Sequence, residues 1–153
     1  MLVNYAIKVD KNDKSKAVIA VVVLDNLNGG KTVFRTTEEY TVGTEGKYWA
    51  HLKALERVIR ILNRLVSEGT IPREAPVTIS LLSTVILTWL EKGKAVEPYR
   101  YAFEMLMRNL EGIPCVVEII PDRKNSNRAI CYLDKKYIKT EKYESVLTAL
   151  ADM

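Results

Sequence analysis

Three strand-like runs follow one another before any helical period begins, and this order restricts the fold more than any single residue does. Tyr5-Ala6-Ile7-Lys8-Val9-Asp10 alternates apolar and polar positions, as a half-buried strand requires. A polar turn over 11–16 separates it from an apolar run over 17–24, and Asn26-Leu27-Asn28-Gly29-Gly30 is a strong turn signal. Thr32-Val33-Phe34-Arg35-Thr36, continued by 39–42, supplies a third strand. Sequential strands joined by short turns predict an antiparallel meander.

The period then changes. From Tyr48, apolar residues fall at Leu52, Leu55, Ile59, Leu62 and Val66, steps of three and four that share one helical face. Thr44 is the expected N-cap and Gly69 follows the expected end. Pro76 precedes a short buried strand over 77–81, and a helix over 84–91 stops near Gly93. Pro98 opens another helix over 99–110, closed by Gly112. Residues 115–120 form a fifth strand ended by Pro121, a polar loop follows over 122–127, and helix resumes from Arg128. One more helix is expected within 140–153. The chain has no internal repeat or linker, which predicts a single domain over 1–153 with its core at about 3–135 and a helical tail over 136–153. The order βββ-α-β-α-α-β-α implies an α/β fold, a five-stranded mixed sheet with helices on both faces.

Composition narrows the class. With 153 residues, 48% of them hydrophobic, the chain suits one core rather than two. The two cysteines, Cys115 and Cys131, make no disulfide framework and lack zinc-site spacing; two buried free thiols are expected in preference to a bridge. No apolar run reaches the ~18 residues of a membrane span, and the first residues lack a signal-peptide pattern, so a cytoplasmic, membrane-free protein is expected. The net charge of +4 is compatible with a polyanionic partner and equally with an ordinary basic surface. Glutamine is absent while Lys and Glu abound, the bias of a heat-adapted protein.

The element order resembles the ribonuclease H fold, and local motifs support the resemblance. Archaeal and bacterial-type members carry Glu-Tyr-x-Ala-Leu-x-x-Ala-Leu on the first helix. Here Lys47-Tyr48-Trp49-Ala50-His51-Leu52-Lys53-Ala54-Leu55 is similar to it, with Lys in place of the Glu. The family's Asp-Ser-x-x-Val-Val after the fourth strand is matched by Leu82-Ser83-Thr84-Val85-Ile86-Leu87, with Leu in place of the Asp. Its Val-Pro, Asn loop and Ala-Asp-x-Leu are matched by Ile120-Pro121, Asn125 and Arg128-Ala129-Ile130-Cys131-Tyr132-Leu133, with Ile130 in place of the Asp. Its first-strand Asp-Gly corresponds to Asp10-Lys11.

The resemblance implies hydrolysis of the RNA strand of hybrids by two Mg²⁺ ions held on clustered carboxylates. It also implies that this chemistry is lost here, because hard cations need oxygen ligands and negative charge. Of the four degenerate positions, Asp10, Lys47, Leu82 and Ile130, only Asp10 keeps its acid. No catalytic residue, metal or cofactor is expected, and Lys47 is expected to pair with Asp10 in place of a metal. A strand-end acid paired locally with Lys is the alternative for Asp10.

Lys11, Lys14 and Lys16 form one basic loop, and Arg123, Lys124, Asn125 and Arg128 a second; the resemblance sets both near the old active-site edge. They read as salt-sensitive phosphate contacts or as a solvated surface. Trp49, off the apolar stripe, suits stacking on a base or packing against protein, and Tyr99-Arg100-Tyr101 suits a binding cluster or a helix start. His51, the only histidine, reads as structural. Three functions follow: an inactive ribonuclease H-like protein binding an RNA/DNA hybrid or RNA-containing duplex, a self-associating scaffold with a homodimer or protein partner, or a hydrolase with ligands relocated to Asp10 with Glu45, Asp122 or Asp134.

Overall fold

The computed structural model describes residues 1–43, 48–137 and 143–145. Strands β1 (Leu2–Asp10), β2 (Lys16–Asp25) and β3 (Lys31–Thr41) form the predicted meander, with Val3 opposite Val23, Ala6 opposite Ala20 and Val21 opposite Thr36. β2 reads Ala-Val-Ile-Ala-Val-Val-Val-Leu through its middle, and all of these are buried because helices cover both faces of the sheet there. A short 3₁₀ turn over Asn26–Asn28 leads to β3, with the Asp25 carboxylate accepting the Leu27 N–H at 3.0 Å. Gly29 and Gly30 then carry φ of +69° and +75°, conformations that side chains with a Cβ rarely adopt. The third strand, read from the sequence in two pieces, is continuous, with Thr37 and Glu38 paired in regular register to Ala20 and Ile19; an irregularity at Val23/Leu24 lies nearer its start.

Helix α1 (Trp49–Ser67) follows, its apolar stripe buried from Ala50 to Val66. Tyr48 occupies its N-cap without a side-chain cap bond, and Thr44 lies outside the described residues. Strand β4 (Pro76–Leu81) runs parallel to β1, and β5 (Val116–Pro121) parallel to β4, joined through α2 (Thr84–Lys92) and α3 (Arg100–Glu111). The sheet order is β3-β2-β1-β4-β5, and α4 (Arg128–Tyr137) follows β5.

The two faces bury two separate apolar clusters. Tyr5, Ile7, Val9, Ile19 and Val21 point toward α1 and α3 and meet Leu55, Leu62 and Phe103. The alternate residues Ala6, Val18, Ala20, Val22 and Leu24 meet Ala129 and Leu133 of α4. None of the described helices is long and apolar enough to cross a membrane.

One element departs from expectation. Residues Tyr143–Ser145 form a sixth strand, β6, antiparallel to β1 at Lys8–Asp10, where a helix over 140–153 was expected. β4 pairs with β1 only at Leu2 and Val3, which leaves backbone donors and acceptors open further along that edge. An extended segment satisfies them and a helix does not. The rest of 138–153 lies outside the described residues.

Candidate nucleic-acid interface

The C-terminal ends of β4 and β5 meet the middle of β1 in a tight polar junction. Asp122 donates its N–H to the Leu81 carbonyl at 3.0 Å, and the Tyr5 hydroxyl accepts the Leu82 N–H at 3.2 Å. Asn127 ties the junction to α4. Its Nδ2 donates to the Tyr5 carbonyl at 3.1 Å and to Asp122 Oδ1 at 2.7 Å. Its Oδ1 accepts the N–H groups of Ala129 and Ile130 at 2.9 and 3.0 Å, capping the helix. Asn4 Oδ1 accepts the Arg128 N–H at 3.1 Å, and Ser83 caps α2 through the Ile86 N–H. Burial holds the Tyr5 hydroxyl far above its ordinary pKa and the Asp122 charge adds to this, while the Leu82 N–H works against it. Asp122 Oδ2 is buried with no hydrogen-bond partner among the described residues.

The Leu82 and Ile130 N–H groups are bound here, by the Tyr5 hydroxyl and by Asn127, but their side chains part: Leu82 packs on the apolar cluster under α1 and α3 and Ile130 on the one under α4. Asp10 is not brought to them. Continuing the β1–β4 register from Val3↔Ile79 sets Ala6 opposite Leu82, and Asp10 lies four residues further, about 13 Å along the strand. Its carboxylate is buried, accepts the Asn12 N–H at 2.9 Å, and its Cα is paired with Tyr143 of β6. The sequence resemblance aligned Asp10 by type; the strand register separates it from the junction. Lys47 and Glu45 lie outside the described residues, and with them the expected Asp10–Lys47 pair. Asp134 is engaged by Lys8 Nζ at 2.8 Å.

The donor set at the junction does not fit two Mg²⁺ ions. Leu82 and Ile130 offer no oxygen, Asp122 is the one carboxylate among the junction bonds described here, and no group of three or more His, Cys, Asp or Glu side chains among the described residues is arranged to hold a metal.

The basic loops are exposed. Lys11, Lys14 and Lys16 project from the β1–β2 turn, where Lys16 lies 3.9 Å from Asp13. Hydrogen bonds from Ser15 hold the Asp13 carboxyl below its ordinary pKa. Arg123, Asn125 and Arg128 are exposed beyond β5, and the Arg128 guanidinium donates to the Gly30 carbonyl at 3.0 Å; the Lys124 side chain lies outside what the structure describes. Arg128 stands beside Asn4 and the lysine loop begins past Asp10, so the clusters are separated by roughly 20 Å along β1. Arg35 and Tyr132, which the sequence did not single out, stand near the second cluster, with the Arg35 guanidinium carbon 5.0 Å from the ring centroid.

The aromatic candidates pack inward. Trp49 lies 5.1 Å, centroid to centroid, from Tyr99, which also meets Tyr48 and Trp89. The Trp49 Nε1 is buried without a hydrogen-bond partner among the described residues. Arg100 faces Glu97 and Glu104, and Tyr101 alone of its triplet is an exposed ring. His51 is buried in α1, and burial lowers its pKa to about 4. Both cysteines are free; Cys115 is half-buried, but Cys131 is exposed rather than buried because it sits on the outer side of α4.

No protein-family profile matches the chain, and no curated protein sequence does. Solved structures do. A ribonuclease H1 from compost metagenomic DNA, solved in complex with an RNA/DNA hybrid, superposes with a TM-score of 0.58 at 22% identity, covering 84% of this chain and 90% of that one. Ribonuclease H1 of Halobacterium salinarum gives 0.56 at 14% identity, covering 86% and 97%. The N-terminal ribonuclease H domain from Mycobacterium tuberculosis gives 0.55 at 14% identity, covering 88% and 87%. The chain has a ribonuclease H-like fold.

Proposed function

We propose that this chain is a ribonuclease H-like protein that binds an RNA/DNA hybrid or another RNA-containing duplex without cutting it. The observation that carries the reading is the junction where β4 and β5 end. Tyr5, Asn127, Asp122 and the Leu82 and Ile130 N–H groups close it with hydrogen bonds, and Asp122 is the one carboxylate among them, where two-metal cleavage needs several. The duplex side of the reading rests on the exposed cations Lys11, Lys14, Lys16, Arg123 and Arg128, with Asn125 and Lys124, on two loops, one next to the junction and one further along β1. A neighbour of the same fold was solved with a hybrid bound, which supports the choice of duplex. Cations spread over roughly 20 Å span several phosphates of a strand that carries one charge per about 3.4 Å.

The test is a titration of labelled hybrid, double-stranded RNA, double-stranded DNA and single strands across salt concentrations, beside a cleavage assay with Mg²⁺ and Mn²⁺. Tight hybrid or RNA-duplex binding that weakens steeply with salt, with the RNA strand intact, is the expected result. Metal-dependent cleavage overturns it, and so does flat binding at low salt.

One feature favours the self-associating scaffold as a second reading. β5 ends the β3-β2-β1-β4-β5 order with no strand on its outer edge among the described residues and carries Val116 at 66% exposure, and such an edge is a template for pairing with another chain. Light scattering of the native chain and of Val116→Lys decides it: a dimer that the substitution dissociates supports this reading, and a monomer throughout removes it.

A further inference from the structure

We infer that the outer face of α4 and the facing strand β3 form a second site, one that takes an unpaired nucleic-acid strand on a preformed arginine–tyrosine stack. Arg35 of β3 holds its guanidinium carbon 5.0 Å from the centroid of the Tyr132 ring on α4. Arg128 lies four residues before Tyr132 and Lys135 three after, so the three side chains share one helical stripe about 10 Å long. Arg128 donates to the Gly30 carbonyl at 3.0 Å, which fixes its guanidinium above the β2–β3 turn. Arg35, Arg128 and Lys135 are all exposed, and among the described residues none is paired with a carboxylate. The acid nearest in the helix, Asp134, is held by Lys8 instead.

The chemistry of this patch is that of strand binding. A guanidinium seated on a ring has one side covered and the other open, and its plane is a stacking surface for a base. The flanking cations suit phosphates through charge-assisted hydrogen bonds. Bases in a duplex are already stacked on both faces, so a lateral stacking surface selects an unpaired strand. The patch lies on the α4 side of the meander, and Arg128 alone belongs also to the basic loop after β5.

The inference rests on the nucleic-acid reading above for the class of partner, but its stacking pair, Arg35 and Tyr132, belongs to neither basic loop. The full chain is titrated with a labelled oligouridine RNA of about 12 nucleotides and, in parallel, with the RNA/DNA hybrid. Arg35→Ala and Tyr132→Ala are expected to lower oligouridine affinity about tenfold, with Tyr132→Phe and hybrid affinity within about twofold of the native chain. Arg35 is exposed, so its variant carries the test should Tyr132→Ala unfold. Unchanged oligouridine affinity in Arg35→Ala overturns the inference, as does the absence of oligouridine binding. Equal competition by polyglutamate overturns it in favour of an acidic protein partner. If the native chain ignores the hybrid while oligouridine binding responds to Arg35→Ala, the duplex reading falls and this one stands.

Discussion

His51 shows how a single residue sets a pH dependence without taking part in chemistry. Burial lowers its pKa from 6.5 to about 4, so between those values the unfolded chain binds a proton that the folded chain does not. Its contribution to stability is therefore complete above about pH 6.5 and is lost as pH falls toward 4, amounting to about 3 kcal/mol over that window. Asp13 acts in a different window, since its carboxyl is held below 3.8. Urea unfolding at pH 7 and pH 4.5 is expected to show the loss, and His51→Leu to flatten it; an equal slope in the variant would assign the effect elsewhere. Its buried character was legible from its place among Ala50, Leu52, Ala54 and Leu55. Asp10 was less so: its type matched a motif, but which residue faces the end of β4 depends on a register that no local pattern encodes.

At the scale of elements, Asn127 joins more of the fold than any sequence signal suggested. It caps α4, accepts two N–H groups there, and donates to β1 through the Tyr5 carbonyl and to the end of β5 through Asp122. Asn127→Ala removes the cap and leaves a buried carbonyl and a buried carboxylate without these donors. A loss of about 2–4 kcal/mol in unfolding free energy is expected, against about 1 kcal/mol for Ser83→Ala, which removes only the cap of α2. Similar losses for both would show that the junction bonds add nothing beyond capping. The helices were readable because α1, α2 and α3 keep the 3.6-residue period and end near Ser67, Gly93 and Gly112. β6 was not, because what makes Tyr143–Ser145 a strand is the open edge of β1, a residue pair distance of more than 130 positions away.

For the whole molecule, the arrangement of charge matters more than its sum of +4. Lys11, Lys14 and Lys16 project from one turn at the end of β1, and the second cluster stands beside Asn4. Replacing the three lysines by alanine is expected to weaken hybrid binding at every sequence alike. It should also reduce the slope of log affinity against log salt by up to about 2.7 for a duplex. A slope unchanged by the triple substitution would remove the lysine loop from the interface. The sequence by itself determined the meander, the helix-linked strands and so the ribonuclease H-like fold, because strand and helix periods and turn residues are local properties of the chain. Tertiary structure alone decided that Asp10 stays about 13 Å from the junction where β4 and β5 end, that Tyr5 and Asn127 close it, and that Arg35 meets Tyr132 across nearly 100 residues of chain. Those pairings are set by strand register and by packing of α4 on the sheet, and both depend on contacts between residues far apart in sequence.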